Sequence, residues 1–142
     1  MISKKELVEE KASEFELLRR DLESIDAQMQ EINYRMKEFK SALFTISQIK
    51  ELAPDHELIM PLSEGLMIKV NVKDPKKALI GIGNKVVVER NSDDCDSYIK
   101  ERIDEADSLL TQLNDSAEKT TGKLRRLEAE LMELTKKDEE EK

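Results

Sequence analysis

The chain is expected to be mostly α: a long antiparallel coiled-coil hairpin with two small β-hairpins at one end. Three observations predict this. Two heptad ladders of similar length, Phe15–Ile46 and Ile99–Leu134, bracket a middle segment of different character. That middle carries alternating apolar residues and Gly-containing turns. The composition, 39% charged and 4% aromatic, suits a thin helical pair better than a thick globular core.

The first helix is expected from Lys4, where Ser3 and Glu6 form a capping box, to Pro54, which lacks an amide donor and disfavours helix at Ala53. Its apolar rungs are Phe15, Leu18, Leu22, Ile25, Met29, Ile32, Met36, Phe39, Leu43 and Ile46. Steps of three and four average 3.5 residues and put all of them on one stripe, the seam of a coiled coil. About 50 residues at 1.5 Å each give roughly 75 Å.

Four short strands follow: Leu58–Leu62, Leu66–Val72, Ala78–Ile82 and Lys85–Glu89. Ser63-Glu64-Gly65 turns the first pair, and Gly83-Asn84 is the turn signal of the second. Ile68, Val70 and Val72 alternate with Lys69, Asn71 and Lys73, the period of a half-buried strand. Four strands in under about 40 residues bury too little to hold themselves, so they are expected to pair with strands of other chains.

Asn91 and Ser92 are candidate caps for the second helix, and Asp93, Asp94 and Asp96 suit the positive end of its dipole. Its rungs are Ile99, Ile103, Ala106, Leu110, Leu113, Ala117, Thr120, Leu124, Leu127, Leu131 and Leu134. Thr120, Thr121 and Gly122 interrupt good helix formers and read either as a soft point or as tolerated sequence. The chain divides into a helix over 1–54, an assembly region over 55–91 and a helix over 92–142, all in one domain.

Folding back at the hairpins makes facing residue numbers sum to roughly 147, within a turn. Phe15 then lies near Met132, and Leu7 and Val8 lie beside the charged residues 138–141. Met1, Ile2, Leu7 and Val8 should be exposed there, with Met132 and Leu134 close by. Such a cluster reads as an interaction site, or else as idle frayed ends.

The net charge of −8, with acids and bases interleaved, is a solvated coiled-coil surface and argues against nucleic acid as a main partner. No apolar run reaches the roughly 20 residues of a membrane span. Met1 and Ile2 are followed at once by Lys4, Lys5 and Glu6, which does not read as a signal peptide. A single cysteine, Cys95, fits a reduced, cytoplasmic setting. His56, the only histidine, reads as a turn residue beside Pro54. Gly81-Ile82-Gly83 is followed by strand residues instead of a phosphate-binding helix. With no metal set, cofactor motif or activated nucleophile, the chain reads as a non-enzyme.

The segment Leu58–Arg90 carries a specific likeness. Leu58-Ile59-Met60-Pro61-Leu62, the Ser63-Glu64-Gly65-Leu66 turn and the hairpin Ala78–Glu89, set between two long helices, resemble the alpha class of the archaeal-type prefoldin family. Met67–Pro75 departs from it, with Lys69, Asn71 and Lys73 where a more apolar, Gly-containing connection is expected. The resemblance implies a hexamer of two alpha and four beta subunits, joined through an inter-subunit β-barrel. Its assembling side chains would be Leu58, Ile59, Met60, Leu62, Ile68, Val70, Leu79, Ile80, Val86, Val87 and Val88. It also implies a chaperone that works without ATP. That chaperone would hold unfolded client proteins at Met1, Ile2, Leu7, Val8, Leu131, Met132 and Leu134 and pass them to a group II chaperonin. The competing reading is a coiled-coil tether with no action on clients.

Overall fold

The computed structural model describes residues 2–140 and has two long helices with two separate β-hairpins between them in sequence. The order is α1 (Lys4–Ile49), β1 (His56–Ser63), β2 (Leu66–Val72), β3 (Lys77–Gly83), β4 (Val86–Asn91) and α2 (Ser92–Glu140). The chain forms two compact units: 1–34 with 106–142, and 35–105.

Both helix starts are capped as their sequences require. Ser3 Oγ accepts the Glu6 amide at 3.2 Å, and Asn91 Oδ1 accepts the Asp94 amide at 2.8 Å. Asp93 and Asp94 lie in the first turn of α2, where the helix dipole favours anions. All the expected rungs of both ladders are buried or half-buried. By contrast, Leu17, Tyr34, Phe44 and Leu109, which fall off the stripe, are exposed. The heptad period therefore decides which apolar side chains leave water.

In the first unit α1 and α2 run antiparallel. Lys11 pairs with Glu130, and Leu7 and Leu134 line one groove. The seam of α1 also continues beyond Phe15: Lys11, Val8 and Lys4 keep the four-three-four step, and all three are half-buried.

In the second unit the start of α2 carries the tightest packing. Cys95 is 2% exposed, and Ile99, Ser92 and Met36 are buried. The hairpins are tied to their roots by backbone bonds: Ser92 N donates to Lys76 O, and Asp55 N to Val72 O, each at 2.8 Å. Asp74 accepts the Lys76 amide and holds the short β2–β3 link. Lys50 reaches Asp96 at 3.7 Å.

Several boundaries differ from the sequence expectation. α1 stops at Ile49, short of Pro54, because a turn over 50–52 takes up the chain first. His56 is a strand residue: it opens β1 opposite Val72. The second hairpin turns on Asn84-Lys85, both at positive φ (50° and 60°), while Gly83 (φ 107°) stays in the ladder opposite Val86 at an irregularity. Lys85 is thus a turn residue, and β4 begins at Val86.

Candidate functional site

Two apolar surfaces stand out, one in each unit. In the first unit a groove of about 370 Å³ is lined by Phe15, Leu131 and Met132, with Thr135, Glu128 and Lys136 around them. Phe15 and Leu131 are seam rungs seen from the side, both half-buried. Met132 follows Leu131, falls outside the stripe and stands 63% exposed. Thr135 donates its hydroxyl to the Leu131 carbonyl at 2.8 Å, so that hydroxyl is satisfied within α2. The groove therefore offers mainly aliphatic, aromatic and thioether surface, with Glu128 and Lys136 also in its lining. Such a surface binds apolar side chains with little selectivity, and methionine adapts to varied shapes.

The spacing placed Phe15 near Met132, and the two meet here. It also left Leu7 without an apolar partner among residues 138–141. That expectation is corrected: Leu7 shares a smaller groove of about 180 Å³ with Leu134, Lys11, Glu130, Glu133 and Lys137. The fold-back sum located a level only to within a turn. Leu134 is the last apolar rung of α2, and burying two aliphatic chains together brings it to Leu7. Of the residues expected to be exposed at this end, Ile2 (64%) and Met132 are so. Leu7, Val8, Leu131 and Leu134 are half-buried, and Met1 lies outside the described residues.

The second surface is the pair of hairpins. Residues paired across an antiparallel ladder share a face. Leu58 with Val70 and Met60 with Ile68 make one face of β1–β2, while Ile59 with Lys69 and Pro61 with Met67 make the other. In β3–β4, Ile80 lies with Val88 on one face, and Leu79 with Glu89 and Gly81 with Val87 on the other. Leu58, Val70, Ile80 and Val88 are half-buried, whereas Ile59, Met60, Leu62, Ile68, Leu79, Val86 and Val87 are exposed. Leu66, Met67 and Ile82 are exposed with them and were not among the expected assembling residues. All three lie within the expected strand spans Leu66–Val72 and Ala78–Ile82. Each hairpin is a sheet of only two strands, so every strand keeps one backbone edge unpaired among the described residues. An isolated pair of this kind is marginal in water, and such edges are templates for strands of another chain.

No group of three or more His, Cys, Asp or Glu side chains able to hold a metal occurs among the described residues. Cys95 is buried, and its thiol pKa is raised by burial first and then by Asp94 and Asp96. It is therefore poorly suited to act as a nucleophile. No helix among the described residues is long and apolar enough to cross a membrane.

The model of the prefoldin subunit family matches residues 18–137. The chain is 27% identical over 138 residues to prefoldin subunit alpha of Archaeoglobus fulgidus, covering 97% of this chain and all of that one. Among solved structures it is similar to filamentous prefoldin of Methanocaldococcus jannaschii (TM-score 0.71, 16% identity, 82% of this chain and 96% of that one). It is also similar to the prefoldin beta subunit of Thermococcus strain KS-1 (TM-score 0.61, 19% identity, 94% and 96%). The fold of this chain, two long helices with two strand hairpins between them in sequence, is thus similar to that of prefoldin subunits.

Proposed function

The chain belongs to the prefoldin family, a family of chaperone subunits, and from that premise we propose that it is an alpha-type holdase subunit. It captures unfolded proteins in the Phe15–Met132 groove and releases them to a group II chaperonin in the cytoplasm, without nucleotide or catalysis. The observation that carries this reading is the groove itself: an apolar trough beside a seam whose other rungs are turned inward, with Met132 left in water.

The hairpins supply the second half of the mechanism. Ile59, Leu79, Val87 and their exposed neighbours are uncovered among the described residues, and strands of beta-type subunits and of a second alpha subunit are the proposed cover. Assembly, as two alpha with four beta subunits, then brings several grooves to one client. Full burial of a methionine is worth about 1.5–3 kcal/mol, so one groove holds weakly and lets go quickly. Several grooves raise the effective concentration and hold by avidity. Release needs no energy source, because a second binder can displace one weak contact at a time.

The test is suppression of light scattering by a chemically unfolded protein, using this chain assembled with a beta-type partner. Assembled Met132→Ser should protect less than the natural chain at equal concentration. A tether would leave scattering unchanged in both cases, which would refute the holdase reading.

A further inference from the structure

The seam of α1 is not uniform. Above Phe15 every rung is apolar, but the rung at Lys11 is a lysine, and so is the one at Lys4. A charged group on a coiled-coil seam lowers stability where it sits. Lys11 is half-buried and its ammonium is held by the Glu130 carboxylate, which also raises the lysine pKa. Two surface grooves flank this rung: Lys11 and Glu130 themselves line the smaller with Leu7 and Leu134, and Phe15 and Leu131, the next rungs, line the larger. The adjoining apolar side chains Leu7, Val8, Leu131 and Leu134 are half-buried, and Leu7 of the first turns of α1 lies with Leu134 of α2 in one groove.

We propose that the Lys11–Glu130 pair is a latch that holds the first two turns of α1 on α2, and that its release joins the Phe15–Met132 groove to Leu7, Val8, Leu131 and Leu134 as one apolar strip. The inference rests on the capture reading and makes Lys11 a positioning residue for it. The latch is electrostatic and solvent-facing, so salt weakens it. A leucine at position 11 would turn the same rung into a permanent clasp.

Hydrogen exchange of the amides of residues 4–14 in the full assembled chain measures the latch without any client. Glu130→Gln should speed that exchange a few-fold, as should high salt in the natural chain. Lys11→Leu should slow it and remove the salt effect. Lys11→Arg should behave like the natural chain, and Lys11→Glu combined with Glu130→Lys should restore it. Capture of reduced, unfolded lysozyme should follow exchange: faster with Glu130→Gln, slower with Lys11→Leu. Unchanged exchange in Glu130→Gln overturns the latch, as does a Lys11→Leu chain that exchanges slowly yet captures lysozyme as fast as before. A natural chain that holds no lysozyme would refute the capture reading instead, and the exchange arms would still judge the latch by their own signs.

Discussion

Val87→Asp separates what the chain needs alone from what it needs in an assembly. Val87 lies on β4 opposite Gly81 and is 57% exposed. In the isolated chain the carboxylate would stay in water, and a surface change of this kind alters stability by no more than about 0.5 kcal/mol. If neighbouring subunits cover this face, the outcome is very different. Covering the exposed part of a valine is worth about 1 kcal/mol, and that gain is lost. An unpaired carboxylate moved out of water adds a penalty of several kcal/mol. The sum is about 4 kcal/mol or more per copy, which is roughly a thousandfold in association constant per interface. Native mass measurement with and without a beta-type partner, beside far-ultraviolet circular dichroism, is the assay. The helical signal should be unchanged and the assembled species lost. Intact assembly in Val87→Asp would refute the claim that this face is covered.

Other consequences are smaller in scope. Leu127 is a 7% exposed seam rung, so Leu127→Ala should cost about 2–3 kcal/mol in denaturant unfolding, whereas Leu109→Ala, 49% exposed and off the stripe, should cost less than about 1 kcal/mol. Lys85 sits at φ 60° in a two-residue turn that favours Asn-Gly, so Lys85→Gly should raise unfolding stability by up to about 1 kcal/mol in denaturant titration; a loss would contradict the turn assignment. Cys95 has a raised pKa in the folded chain, from burial first and the two aspartates next, so folded protein should react slowly with iodoacetamide at pH 8 and rapidly once unfolded. Because the unfolded thiol loses its proton first, this group's contribution to stability is fully present below the unfolded pKa of about 8.5 and falls as pH rises above it.

The helices and their seams were legible because the heptad spacing has one physical meaning, and burial follows it rung by rung from Phe15 to Ile46 and from Ile99 to Leu134. The pattern failed to extend to Lys4, Val8 and Lys11 because a lysine does not register as a rung, although its stem can lie along the seam while the ammonium finds Glu130. The Phe15–Met132 groove was half visible. The fold-back sum put those two residues together, and Met132 stood out for falling off the stripe, but a groove formed on the flank of a seam has no sequence period of its own. Gly83 is the stronger local turn signal, yet it pairs with Val86 at an irregularity that no local rule announces, and the turn falls on Asn84-Lys85. Pro54 beside His56 points to a turn, but the pairing of His56 with Val72 is decided by the ladder.

A photoreactive residue placed at position 132, or in a separate chain at position 34, gives the most direct test of capture at the groove. Met132 and Tyr34 are almost equally exposed, at 63% and 64%, so general stickiness would label an unfolded client from both. The groove account predicts adducts with reduced, unfolded lysozyme from position 132 and few from position 34. Equal labelling from the two positions, or none from 132, would contradict it.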